Sequence, residues 1–275
     1  MSTQEQGSRG AAWLAALTDN ASRAAGFPDS VQVVDGSMGE HSARYIAVVP
    51  DADNAYPRAR GGEVGLVEGW ALAQAVRQVV SADADADAGA AQKRAIVAVI
   101  DVPSQAYGRS EEAFGIHQAL AAAAEAYATA REAGHPVLGL IVGKAMSGAF
   151  LAHGYQANRL IALDDAGVQV HAMGKQAAAR ITQRTVEGVE QLAETITPMA
   201  YDIASFDTLG LLFARVSVAD ADRPSDEDLD RIRQTLERAL ADIGQDVSLA
   251  SRLDADGRAA SVKVRERLRA QWNGD

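Results

Sequence analysis

Two apolar runs constrain what this chain can fold into. Ala95–Val102 (AIVAVIDV) and Val137–Val142 (VLGLIV) show no alternation between apolar and polar positions. A strand reads this way when both of its faces are covered, as in a parallel sheet flanked by helices. Between them, the stretch Glu111–Ala133 carries Ile116, Leu120, Ala124, Tyr127 and Ala130 at helical spacing. Gly134 is placed to cap that helix, with Pro136 just beyond. Strand, crossover helix and strand in this order predict an α/β fold with a mainly parallel sheet. Short strands are expected at Arg159–Ala162 and Val168–Val170, and a helix over Ala172–Ile181.

The flanking segments read less uniformly. Trp13, Leu14 and Leu17 form the stripe of a short helix that ends by Gly26–Pro28. Val31–Val34 and Tyr45–Val49 are two strands of a meander around a turn at Gly36–Gly39. Glu68–Val80 is an amphipathic helix with Leu72, Val76, Val79 and Val80 on one face. The tract Ser81–Gln92 (SADADADAGAAQ) is low in complexity and reads as a surface loop without function. The last part is helical: Asp226–Ile243 places Leu229, Ile232, Leu236 and Leu240 on one stripe, and Ser261–Trp272 is basic. These patterns divide the chain into a main domain, 1–222, and a helical extension, 223–275.

Composition narrows the function classes. A chain of 275 residues can bury a full core. It has no cysteine, so disulfides, thiolate metal sites and a cysteine nucleophile are excluded. The formal charge of −11 and an aromatic content of 5% argue against nucleic-acid binding. Much of the acid lies in two tracts, Asp83–Asp87 and Asp220–Asp230, which read as solvated surface without metal-loop spacing. His41, His117, His135 and His153 show no i, i+4 pair, and no metal site is expected. The first residues, MSTQEQGSRG, lack an apolar leader core and no run reaches membrane-spanning length. A cytoplasmic protein that does not engage membranes is the expectation.

The stretch Pro136–Gly154 (PVLGLIVGKAMSGAFLAHG) carries the most direct sign of chemistry. It reads as a buried strand, a tight turn and a helix starting near Ser147. The first N–H groups of a helix lack intrahelical partners and face the positive end of its dipole, an arrangement suited to a carboxylate or oxyanion. Two readings stand side by side: Gly148 permits close helix–strand packing, or the N–H groups of Gly148 and Ala149 form an oxyanion hole. The loop Asp101–Arg109 (DVPSQAYGR) follows the preceding strand, and ligands gather outside the carboxyl ends of parallel strands. Ser104, Gln105 and Tyr107 there are candidates to bind a carboxylate or hold water, against a plain turn stitched by its own hydrogen bonds. Lys144 and Lys175 flank the two loop–helix junctions, either as exposed lysines or as cations beside the site. Ser147 and His171, oriented by Asp164 or Asp165, make a triad on paper, but the flanking residues lack the G-x-S-x-G elbow, and Ser147 as a helix N-cap is the simpler reading.

At these residues the chain resembles a known family. The stretch from DVPSQAYGR through GHPVLGLIVGKAMSGAFLAHGYQANRLIAL to VHAMGKQAAARIT is similar to the gamma subunit of biotin-independent malonate decarboxylase. The resemblance runs from about Gly61 (GGEVGLVEGWALA) to about Phe213 (PMAYDIASFDTLGLL), and neither the Ser81–Gln92 loop nor the tail after Arg223 adds to it. More distantly, the stretch is similar to the C-terminal half of biotin-dependent acyl-CoA carboxyltransferases. Those have DVPGF-x-PG where this chain has DVPSQAYG, and an aromatic-Gly-Gly-Ala turn where it has Met146-Ser147-Gly148-Ala149.

The resemblance implies a crotonase-like fold (the ClpP/crotonase superfamily) of stacked ββα units with C-terminal helices. It implies an oxyanion hole at Gly148 and Ala149, beside Ser147; Ser104, Gln105, Tyr107, Lys144 and His171 remain, from the reading of the residues, the candidates to surround the substrate. Ser147 in place of a glycine, Ser104–Gln105 in place of Gly-Phe, and the lack of a Met-Lys-Met site imply a reaction without biotin. The implied partners are a beta subunit and an acyl carrier protein, in a heterodimer or heterotetramer. The implied reaction is decarboxylation of a malonyl thioester, borne on the carrier's phosphopantetheine-type arm, to the acetyl thioester. No cofactor is expected on this chain itself. The alternatives are the carboxyltransferase half of a biotin-dependent system, a serine peptidase of the same fold, and a scaffold that only stabilises its partner.

Overall fold

The computed structural model describes residues 8–84 and 93–274. Its centre is a sheet in the strand order β1 (Val31–Met38), β2 (His41–Val48), β3 (Ala95–Val102), β4 (Val137–Met146), β5 (Arg159–Leu163) and β7 (Ala214–Val216). A short strand, β6 (Gln169–His171), pairs with the far end of β4. Among these strands the β1–β2 hairpin is antiparallel and every later pair is parallel. The two apolar runs of the sequence are the two central strands, buried along nearly their whole length. That explains their lack of alternation, since helices cover both faces.

One helical layer is made by α2 (Leu66–Ala82) and α4 (Ile116–Glu132). They pack tightly because Gly69 lies against the Ala119 backbone, where any Cβ would meet main-chain atoms. On the other face, α1 (Arg9–Leu17) and α9 (Asp226–Ile243) share the same core. Fully buried Trp13 donates its indole N–H to the carbonyl of Ala221 at 2.8 Å, tying the first helix to the segment that leads into α9. The final helix, α10 (Ala259–Asn273), buries none of its residues.

The structure departs from the sequence reading at several places, each with a local cause. The helix expected over Glu111–Ala133 is two: α3 (Arg109–Ala113) and α4, separated at Gly115 with φ +86°. Strand β4 runs past Val142 to Met146. It does so by changing neighbours, since Leu138–Ile141 pair with β5 and Lys144–Met146 pair with β6. The register against β3 slips at the same point, from Ile100↔Ile141 to Val102↔Ala145. Past this shift the end of β4 lies between β3 and β6 rather than between β3 and β5. Helix α6 (Lys175–Thr182) begins later than the expected Ala172, and α7 (Val186–Ala193) and α8 (Ile203–Asp207) follow it with no stripe long enough to announce them.

Both acidic tracts contain residues that are not solvated. Asp83 ends α2 and accepts from the backbone N–H and the guanidinium of Arg94, each at 3.2 Å. Asp228, 1% exposed, completes a capping box with Ser225 at the start of α9 and accepts the Ala219 N–H at 2.9 Å. Helix α2 takes in Ser81 and Ala82, and residues 85–92 of the expected acidic loop lie outside the described residues.

Candidate functional site

The site forms where β4 ends and α5 (Ser147–Ala152) begins. Ser147 sits at the junction with φ +57°, the left-handed region that a residue with a Cβ adopts only where the surroundings hold it there. It is not the helix cap: Met146 occupies that position in extended conformation, with no side-chain capping bond. Beyond the kink, Gly148 and Ala149 present the first N–H groups of α5, which have no intrahelical partners. The Gly148 N–H donates to Oε1 of Gln105 at 2.8 Å. The loops after β3 and β4 therefore meet, as the parallel-sheet reading expects.

A cavity of about 550 Å³ opens beside this turn, lined at its polar end by Ser147, Gly148 and His171. Its other walls are apolar and include Phe150, Leu151, Met173, Ile181, Met199 and Leu211. His171 reaches it because β6 pairs there with β4, setting His171 opposite Met146. The imidazole stacks on Tyr201, with ring centroids 4.0 Å apart and an interplanar angle of 13°. Its Nδ1 lies 2.9 Å from the carbonyl and 3.2 Å from the N–H of Met173, and the shorter contact favours a proton on Nδ1 and a lone pair on Nε2. Burial holds this histidine below its ordinary pKa, partly offset by the Met173 bond, so the ring is neutral at pH 7. A second cavity, about 710 Å³ and lined by His41, Lys93 and His135 among others, lies at the opposite ends of the strands, away from the carboxyl-end site.

The remaining predicted residues divide. Ser104 turns its hydroxyl onto the carbonyl of Gln105 at 2.9 Å, while its own carbonyl accepts the Val64 N–H at 3.1 Å. Tyr107 points outward, 64% exposed. Lys144 gives its backbone N–H to Asp101 at 3.0 Å, and its residue is exposed, with no ion pair among the described residues. Lys175 is tied to Glu190 at 2.7 Å and stands 5.5 Å from the Tyr201 ring centroid. The triad reading fails on its acid. Asp165 is paired with Arg9 at 2.6 Å and Asp164 lies by Ser217 and Arg215, while the Nδ1 of His171 faces a carbonyl, not a carboxylate. No hydrogen bond joins Ser147 to His171 among the described residues.

Tyr201 and Met173 belong to the site but stood outside the sequence-based set. Tyr201 lies far along the chain from His171, and no local pattern in the PMAYD stretch links the two. Among the described residues no group of three His, Asp or Glu side chains gathers as a metal site. No described helix is long and apolar enough to cross a membrane.

Comparison with known proteins converges on one family. The family profile described as malonate decarboxylase gamma subunit matches residues 59–272. That match extends through α9 and α10, so the tail after Arg223, which had added nothing to the resemblance, is part of it. Among solved structures, a Pseudomonas malonate decarboxylase hetero-tetramer in complex with coenzyme A is 58% identical with a TM-score of 0.92, covering 96% of this chain and 100% of that one. The MdcD–MdcE hetero-dimer of a Pseudomonas malonate decarboxylase is 57% identical with a TM-score of 0.89, at the same coverage. A curated relative, the Malonyl-S-ACP:biotin-protein carboxyltransferase MADD of Malonomonas rubra, is 35% identical over 160 residues, 58% of this chain. The match spans about half (54%) of that relative's length. The transcarboxylase 12S structure, at 18% identity and a TM-score of 0.61 over 83% of this chain and 41% of that one, shares the fold: a crotonase-like α/β arrangement.

Proposed function

This chain belongs to the malonate decarboxylase gamma-subunit family, and from that membership we propose that it works with a beta subunit to decarboxylate a malonyl thioester. The substrate is carried on the phosphopantetheine-type arm of an acyl carrier protein, and the products are the acetyl thioester and carbon dioxide. The assembly is a heterodimer or heterotetramer in the cytoplasm, and biotin takes no part.

The observation that supports this most is the kinked turn at Ser147, which sets the first N–H groups of α5 beside a largely apolar cavity whose polar end holds the neutral His171. When the bond between the carboxylate carbon and Cα breaks, carbon dioxide leaves and the electron pair moves onto Cα and the thioester oxygen. The resulting enolate needs donors, and N–H groups fixed beforehand supply them without reorganisation. The turn at Gly148 and Ala149 is assigned that role, with the Ser147 hydroxyl beside it. A proton must then reach Cα; Tyr107, exposed in the loop after β3, or a water is the donor. His171 offers its Nε2 lone pair to an amide N–H of the carrier arm, and the apolar walls exclude water from the enolate. Lys144, free of ion pairs among the described residues, is assigned to the substrate carboxylate.

A second reading, carboxyl transfer to biotin, is favoured by the likeness to the Malonomonas rubra carboxyltransferase. One experiment separates the two: mix this chain, its beta partner and malonyl-loaded carrier, and follow carbon dioxide release with and without biotin. Release that needs both subunits and ignores biotin supports decarboxylation. Carboxybiotin formation with no release in its absence supports the second reading, and a stable complex that does neither leaves the scaffold role.

A further inference from the structure

The Gly148 N–H is the donor that the reaction reading assigns to an oxyanion, yet it is engaged by this chain's own Gln105 at 2.8 Å. A backbone N–H can face only the oxygen of a carboxamide, so this bond fixes which way the Gln105 amide is turned. Gln105 does not line the cavity that holds Ser147 and His171. It approaches the turn from the β3 side, where its loop is fastened. The Val64 N–H donates to Ser104 O at 3.1 Å, the Ala106 N–H donates to Val64 O at 2.9 Å, and Val64 is fully buried. The space at Gly148 is filled by this side chain and by α4, since a Cβ there would lie 3.2 Å from Gln105 Oε1 and 3.5 Å from Leu120 Cδ1.

We propose that Gln105 is a positioning residue for the reacting turn rather than a substrate contact. Its amide oxygen anchors the Ser147–Gly148 peptide to the fastened loop after β3. That anchor holds Ser147 in its left-handed conformation, which an unrestrained serine does not favour. It thereby sets the direction of the Ala149 N–H and of the Ser147 hydroxyl, the groups left to meet substrate. The proposal deepens the decarboxylase reading and rests on it for its catalytic consequence, whereas the anchoring bond itself is a property of the isolated chain.

Two variants test it. Gln105→Met keeps length and removes the acceptor, and Gln105→Glu keeps an acceptor oxygen. In the isolated chain, amide hydrogen exchange at Gly148 is expected to speed up about tenfold or more in Gln105→Met and to stay near the parent rate in Gln105→Glu, with the β4 amides unchanged in both. In the assembled complex, Gln105→Met is expected to lower kcat roughly tenfold with KM and assembly unchanged, and Gln105→Glu to recover most of the rate. Parent-like exchange and activity in Gln105→Met overturn the proposal. So does an equal loss in both variants, which places the lost NH₂ group on the substrate. If the parent complex releases no carbon dioxide, the functional reading fails, and the exchange rates still decide whether Gln105 holds the turn.

Discussion

The imidazole of His171 and the phenol ring of Tyr201 lie nearly parallel, 4.0 Å apart, and both reach the carbonyl of Met173 at 2.9 Å. The stacked neighbour holds the plane of the histidine, and the shorter contact to the shared carbonyl favours a proton on Nδ1. Burial lowers its pKa and raises that of Tyr201, so each is held in its neutral form. The titration of His171, followed by proton NMR in the isolated chain, is expected below 6.5. Tyr201→Ala, which opens the ring to water, should move it back toward that value, and Tyr201→Phe should leave it low. A parent titration at or above the ordinary histidine range contradicts the neutral ring.

Gly143 lies where β4 changes neighbours, and a Cβ there would overlap Asp101 Oδ1, the acceptor of the Lys144 N–H. Neither the strand nor the carboxylate can retreat easily, since Asp101 also accepts the Gly10 N–H at 3.3 Å. Gly143→Ala is expected to destabilise the chain by about 1–3 kcal/mol in urea unfolding. Asp101→Ala should recover part of the loss in the double variant, because it removes the clash.

In the core, Tyr127 donates its hydroxyl hydrogen to His153 Nδ1 at 3.0 Å, while Nε2 of that ring donates to Val99 O at 3.1 Å. Burial depresses the His153 pKa from 6.5 to about 4. The folded state therefore binds fewer protons than the unfolded chain between those values. The contribution is complete above pH 6.5 and is lost as pH falls toward about 4, by up to about 1.4 kcal/mol per pH unit. His153→Gln should flatten that slope, read from urea unfolding at a series of pH values. Tyr127→Phe leaves a buried acceptor without its donor and should cost about 1–3 kcal/mol at neutral pH.

The fold was legible where burial imposes a pattern. Both central strands and α9 stand where the runs of Ala95–Val102, Val137–Val142 and Asp226–Ile243 placed them, because a fully covered strand cannot alternate and a helix stripe repeats. The change of neighbours at Gly143 and the break at Gly115 were not legible. Each depends on a partner elsewhere in the chain or on one left-handed glycine inside a helical pattern. The turn at Ser147–Ala149 was visible as a strand–turn–helix, but the bond that uses the Gly148 N–H needed the position of Gln105, which no local periodicity encodes. Tyr201 escaped for the same reason, since its role exists only through the stack on His171.

Lys144 is an exposed residue with no ion pair among the described residues, so Lys144→Ala should change stability by no more than about 0.5 kcal/mol. If the ammonium meets the substrate carboxylate, the same variant raises KM in the assembled complex, and the effect shrinks with added salt. Unchanged kinetics at low salt would remove Lys144 from the site.

The central claim is that donors at the Ser147–Ala149 turn stabilise the enolate left by departing carbon dioxide. The most direct measurement is the rate of biotin-free carbon dioxide release by the complex carrying Gly148→Val, with assembly with the beta partner confirmed separately. The added side chain would press on Gln105 and Leu120 and displace the turn, so the account predicts a fall of about a hundredfold or more in kcat, the scale of misplacing an oxyanion donor. A fully assembled Gly148→Val complex that releases carbon dioxide at the parent rate would contradict it.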